Sequence, residues 1–129
     1  MGRFEVKTRK KLEVVDITPK VEKQISDKEA KAVLVYVPHA TAALVINEFE
    51  PRLKSDMEEF FSSLVPDRKW KHDEIDDNAS SHLLSALLSP SATVPLENGR
   101  LALGTWQRII LVDLDGPRNR KLVVQVYGE

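Results

Sequence analysis

The chain has 129 residues, 42% of them apolar and 30% charged, with a net charge of −1 and no cysteine. One domain of this size can bury about two-thirds of its unfolded surface without staples, and the composition excludes a disordered chain. The missing cysteines exclude disulfides and thiolate metal sites, the near-zero charge argues against a nucleic-acid-coating protein, and the lack of a signal core or membrane-length apolar run points to a cytoplasmic protein.

Phe4-Glu5-Val6-Lys7-Thr8 alternates apolar and polar, the period of a half-buried strand. Arg9-Lys10-Lys11 reads as a basic turn and Leu12 to Ile17 as a second strand, so the two are expected to form a hairpin. Thr18-Pro19 opens a helix, with Thr as N-cap and Pro at the first helical position, running through Val21 and Ile25 to about Asp27. Ala32-Val33-Leu34-Val35-Tyr36-Val37 is apolar throughout and reads as a central strand covered on both faces. Pro38 stops it, His39-Ala40-Thr41 follows, and Ala42 to Ile46 resumes an extended run closed by Asn47-Glu48.

Leu53, Met57, Phe60, Phe61 and Leu64 recur at helical spacing, which predicts a helix from about Phe49 to Leu64. A polar segment then leads into a short helix, roughly Asn78 to Leu88, which Asn78 or Asp77 could cap. Beyond Ser89-Pro90-Ser91 the pattern changes to strands. Ala92 to Leu96 and Arg100 to Leu103 flank Asn98-Gly99, a pair that supplies the positive φ angles of a type I′ hairpin turn. Gln107 to Leu114 and Lys121 to Tyr127 are two more strands, joined by the turn Asp115-Gly116-Pro117-Arg118. These C-terminal strands are expected to form an antiparallel meander. The expected fold is α+β: one domain over residues 1–129, a mainly antiparallel sheet folded on itself like a sandwich, with two to three flanking helices.

The stretch Lys71 to His82 holds two of the three histidines, His72 and His82, and the carboxylates Asp73, Glu74, Asp76 and Asp77. The third histidine, His39, closes the apolar run upstream. Neutral imidazole is the common nitrogen ligand of zinc-like ions, and three protein ligands with one open position is the catalytic pattern. The His72–His82 spacing is not a helix metal motif, so surface or capping histidines are the competing reading. All three flank apolar elements at their ends, where sites usually sit. Asp73 and Glu74 read as solvated, whereas Asp77 leads directly into the helix of His82. Glu48 is open between a first-turn residue favoured by the helix dipole and a base or ligand facing the pocket of His39. Gly104-Thr105-Trp106-Gln107 is open between a ligand-facing turn and a structural bulge. Arg100, Arg118 and Arg120 suit phosphate, or else protect strand edges.

Four stretches together resemble the YjbQ-like family, whose members are also described as secondary thiamine-phosphate synthases. They are Pro38-His39-Ala40-Thr41-Ala42-Ala43 through Ile46-Asn47-Glu48; Phe60-Phe61 through Val65-Pro66-Asp67; His72-Asp73 with Asp76-Asp77 and Ser81-His82-Leu83; and Ser91 through Pro95 with Gly99-Arg100-Leu101-Ala102-Leu103-Gly104-Thr105-Trp106-Gln107 and Asp115-Gly116-Pro117-Arg118. The Gly-x-x-x-Leu-Gly-Thr-Trp-Gln block is the most specific, and Ala40 departs from the Thr or Ser often found there. The resemblance implies a homotrimer with its site near a subunit boundary. It also implies that His39, His72 and His82 converge on a metal ion or an anion.

The implied activity joins a pyrimidine pyrophosphate to a thiazole phosphate, releasing pyrophosphate. On that reading Glu48, Asp77 and Thr105 are candidate catalytic residues, and Asn78, Arg100, Trp106, Gln107 and Arg118 candidate substrate contacts. The expected cofactor is a divalent cation: zinc-like at three histidines, or magnesium with a pyrophosphate substrate. The two differ, since magnesium prefers oxygen ligands. A metal-dependent hydrolase and a non-enzymatic trimeric binding protein for a small anionic metabolite are the alternatives.

Overall fold

The computed structural model describes residues 1–128. In chain order the elements are strands β1 (Gly2–Lys7) and β2 (Glu13–Asp16), helix α1 (Thr18–Glu22), strands β3 (Ala32–Tyr36) and β4 (Ala42–Asn47), and helix α2 (Pro51–Leu64). A short 3-10 helix, Lys71–Glu74, precedes helix α3 (Ala79–Leu88); strands β5 (Ser91–Glu97), β6 (Arg100–Leu101), β7 (Arg108–Asp113) and β8 (Asn119–Tyr127) follow. The strands form two antiparallel sheets, one ordered β1-β8-β3-β5-β6 and the other β2-β7-β4.

The α+β class expected from the sequence is the class found, and three strand assignments are corrected. β1 and β2 do not form a hairpin: β1 pairs with β8 and β2 with β7, in different sheets. The C-terminal strands are not a meander, because β7 joins the smaller sheet while β8 lies between β1 and β3 in the larger one. β3 is central, but its alternate residues differ: Val33 and Val35 are fully buried, whereas Leu34 is half-buried and Tyr36 is exposed. The hairpin at Asn98-Gly99 is as expected, with φ of 53° and 76°. The first helix is shorter than expected, and Thr18 is not its cap; its hydroxyl instead accepts from the Ile109 N–H at 2.8 Å.

Two cores share the smaller sheet. Val6, Val33, Val35, Leu44, Ile109, Leu111, Leu122 and Val124 fill the space between the sheets. Val14, Ala43, Ile110 and Val112 face Met57 and Phe61 of α2 and Leu84 of α3 on the other side. β7 is therefore buried on both faces, which explains its unbroken run Ile109-Ile110-Leu111-Val112.

The inner face of β7 ends on a carboxylate and the inner face of β8 begins on a guanidinium. Asp113 and Arg120 are both buried, and Arg120 Nη2 donates to Asp113 Oδ1 at 2.7 Å. Arg120 Nη2 also donates to Thr41 Oγ1 at 2.9 Å. Asp113 further accepts from the Thr8 hydroxyl at 2.5 Å and the Asp115 N–H at 3.0 Å. Gly116 is needed beside this cluster, since a Cβ there would meet Lys10 O, Asp113 Oδ2 and Thr8 Oγ1. Both roles expected for Arg120, a phosphate fork or an exposed edge arginine, are corrected: it is buried and paired with Asp113.

Breaking one side of a buried ion pair leaves the other charge stranded. Arg120→Leu is expected to lower unfolding stability by about 3–5 kcal/mol in urea titration. The double change Asp113→Asn with Arg120→Met should recover part of that loss.

Candidate functional site

The histidines gather at the end of the sandwich marked by Asp113 and Arg120. His39 sits in the link between β3 and β4, and its Nε2 accepts the Lys121 N–H at 2.9 Å. α3 is stapled to the same end by two hydroxyls one turn apart. Ser81 Oγ donates to Leu114 O at 2.6 Å, and Ser85 Oγ donates to Ala42 O at 2.8 Å. His82, next to Ser81, is thereby brought to the cavity that holds His39. That cavity has a volume of about 560 Å³ and is also lined by Tyr36, Pro38, Ser85 and Pro90.

His72, on the 3-10 helix, lies on the other side of His82. Their ring centroids are 4.6 Å apart and the planes cross at 76°, an edge-to-face contact. A second cavity of about 410 Å³ opens there, lined by His72 and His82 with Trp70 and Leu83. His82 is the wall between the two cavities. His72 Nε2 is buried without a hydrogen-bond partner, and Asp76 Oδ2 is 3.8 Å from it.

The three-histidine metal site does not fit within one chain. The Nε2 lone pair of His39 is occupied by the Lys121 N–H, so its neutral ring carries the proton on Nδ1. Among the described residues no group of three or more His, Asp or Glu is arranged to hold a metal ion.

Several sequence candidates lie elsewhere. β4 is six residues long, so its ends stand roughly 17 Å apart at a strand's rise per residue. His39 precedes it and Glu48 follows it, which separates the two. Arg100, Thr105 and Gln107 line a cavity with Thr18 and Arg108 at that far end. Gln107 is spent on its own turn, accepting the Gly104 N–H at 2.9 Å through Oε1. Trp106 stands 71% exposed on the same turn.

Asp77 is exposed, with φ of 53°, and lines a cavity between α2 and α3 that contains none of the three histidines. Asn78 holds the N-cap position of α3, but its side chain donates to Asp115 Oδ2 at 2.9 Å instead of capping. Arg118 also binds Asp115, through Nε to the carbonyl at 2.7 Å. Burial pushes the Asp115 carboxyl up, but Asn78, Lys11 and Arg118 together hold it below the usual range.

The sequence reading missed several residues that build this end. Asp73 is not a solvated carboxylate: it accepts the Trp70 N–H at 2.8 Å and the Ala79 N–H at 2.9 Å, fixing the histidine loop to α3. These two backbone bonds hold its carboxyl below the usual range. Asp113 and Arg120 were legible in principle. They continue the alternate positions of Ile109-x-Leu111 and Leu122-x-Val124, so strand periodicity turns both charges inward. Nothing local marks Ser81 and Ser85 as staples.

The profile described as UPF0047 protein YjbQ-like matches residues 2–129. The chain belongs to the YjbQ-like UPF0047 family. A UPF0047 protein of Archaeoglobus fulgidus is 50% identical over 121 residues, covering 93% of this chain and 95% of its own. YugU of Bacillus subtilis is 38% identical over 131 residues, covering 97% of each chain. Among solved structures, a hypothetical protein of Aeropyrum pernix is 46% identical with a TM-score of 0.93, covering 99% of this chain and 98% of its own. A protein of unknown function from Sulfolobus solfataricus is 41% identical with a TM-score of 0.90, covering 99% of this chain and 96% of its own. In this family member no helix is long and apolar enough to cross a membrane, among the described residues.

The electrostatics at His39 favour the neutral ring. Burial lowers its pKa below the ordinary 6.5, the Arg120 charge lowers it further, Asp113 opposes, and Lys121 and Arg118 add to the lowering. With Nε2 spent on Lys121, the neutral ring offers its Nδ1–H as a donor. The depressed pKa also has a stability consequence. As pH falls below 6.5, the unfolded chain takes up the proton before the folded one, so the His39 contribution is whole above that pH and is lost below it. Melting temperatures measured between about pH 8 and pH 5 should fall less for His39→Gln than for the parent chain.

Proposed function

We propose that the protein is a small enzyme acting on phosphorylated small molecules at its histidine end. The reaction we favour is that of a secondary thiamine-phosphate synthase, joining pyrimidine pyrophosphate to thiazole phosphate and releasing pyrophosphate. One observation carries the reading: His39 and His82 face a single cavity, and His39 is kept neutral there by burial and by Arg120, Lys121 and Arg118.

Lys121 beside a neutral imidazole suits an oxyanion substrate, while Arg120 and Arg118 are already paired with Asp113 and Asp115. The neutral ring, its Nε2 held by the Lys121 N–H, presents its Nδ1–H to a bound phosphate oxygen. That hydrogen bond can hold the leaving pyrophosphate and stabilise the charge that develops on it. His82, in the opposite wall, would orient the same group. The further members of this reading are a phosphorylated small-molecule substrate and a cytoplasmic location.

Incubating the protein with both precursors, with and without magnesium or zinc, should yield thiamine phosphate. His39→Gln and His82→Ala should each lower kcat by about a hundredfold or more. Absence of product under every metal and temperature tried would sink the synthase reading. Product formation unaffected by both substitutions would remove the histidines from it.

A homotrimer belongs to the same proposal. Glu48, Arg100, Thr105, Trp106 and Gln107 sit at the far end of the sandwich from the histidines, and Trp106 is exposed there. A neighbouring copy could carry that turn to the histidine end, with the site completed at the subunit boundary. Sedimentation velocity should give a trimer, and a monomer at micromolar concentration would argue against a shared site.

A second reading, a metal-dependent hydrolase, is favoured by His72 Nε2, a buried imidazole nitrogen without a hydrogen-bond partner beside His82. A divalent ion would take that nitrogen and one of His82, and would supply Lewis-acid activation of water. Stoichiometric zinc in the purified protein, lost in His72→Ala, would favour it.

A further inference from the structure

The second cavity, on the far side of His82 from His39, is walled largely by flat rings. It is bounded by the Trp70 indole and the His72 and His82 imidazoles, with Ala79 and Leu83 as apolar surface. The charged groups that line it are Arg68 and Lys71, both cationic. Asp76, which does not line it, approaches His72 Nε2 at 3.8 Å.

Two features mark this volume as built. First, the ring walls are fixed from behind by Asp73, whose two oxygens hold the Trp70 N–H and the Ala79 N–H. One carboxylate thus ties the indole-bearing loop to the helix carrying His82, a form of preorganisation. Second, the Arg68 guanidinium lies 4.2 Å from the Trp70 ring centroid. Arg68 is exposed, so its long arm can move while the indole stays in place.

We infer that this cavity binds the planar aromatic ring of a molecule carrying a phosphate-type oxyanion, with the ring against Trp70 and the oxyanion paired to Arg68. Flat ring walls select a flat ring through stacking and edge-to-face contacts. A guanidinium fork over the same ring selects an oxyanion in reach of it. No lining carboxylate opposes that charge. Trp106, the aromatic residue singled out by sequence, lies on the turn at the other end of the fold, so within one chain Trp70 is the tryptophan beside the histidines. The inference deepens the proposed function by naming the ring-binding wall, and it rests on that reading only in treating the histidine end as the substrate site. Its test is binding, so it fails separately from the synthase assay.

The chain has two tryptophans, and a Trp106→Phe background leaves Trp70 as the only reporter. Phenyl phosphate should quench Trp70 fluorescence saturably, and should bind about tenfold or more tighter than phenol or inorganic phosphate. In calorimetry on the otherwise unaltered chain, Trp70→Leu and Arg68→Gln should each weaken phenyl phosphate about tenfold. Arg68→Gln changes an exposed side chain and keeps the fold, which its circular dichroism and melting temperature should verify. Absence of saturable binding overturns the inference. So does binding no tighter than that of the separate fragments, or binding unchanged in folded Arg68→Gln.

Discussion

The buried pair Asp113 and Arg120 is the constraint on which this end of the molecule depends. Two charges removed from water must satisfy each other and their remaining donors and acceptors, or the fold loses more than it gains. Here most of that demand is met by Thr8 just beyond β1, Thr41 just before β4, and the Asp115 N–H past β7, while Arg120 Nε is left without a partner. Five stretches from both sheets are thus held at one point. The loops that carry His39 and Arg118 spring from that point, and Asn78 is tied to it through Asp115.

The cost of this arrangement is visible in the chemistry it leaves behind. Burial and then the nearby Arg120 guanidinium depress the His39 imidazole pKa, and Lys121 spends the Nε2 lone pair through its backbone N–H. A residue that would be an ordinary metal ligand in sequence terms becomes a neutral donor through Nδ1. That Nδ1–H, with the Lys121 backbone N–H on the other ring nitrogen, is the reason the proposed substrate is an oxyanion. The seryl staples of α3 add the second imidazole without adding charge.

The smaller sheet divides the molecule in another sense. β4 and β7 run antiparallel across it, so residues that flank β4 in sequence lie at opposite ends of the sandwich. His39 and Glu48 are close in the chain and far apart in space. The Gly104–Gln107 turn joins Glu48's end, away from the histidines. The Gly99–Gln107 block and the histidines are therefore two separate surfaces on one chain, and that separation is the reason a site shared between copies is proposed.

Most elements and the family were legible from the sequence alone. Periodicity located the strands and the two long helices, and Asn98-Gly99 specified its turn because few residues accept positive φ. Four stretches, the Gly99 to Gln107 block the most specific among them, pointed to the family, and the profile match over residues 2–129 bears the family out. The inward charges Asp113 and Arg120 were also written in the alternation, unread. Tertiary structure alone decided which strands share a sheet, that Asp73 is a clamp, and that Trp70 rather than Trp106 stands beside the histidines within a chain. Periodicity records which face of a strand is apolar, a relation between residues two apart. Pairing partners are chosen by contacts across the whole chain, such as Gly2 with Val124, and no local pattern contains them.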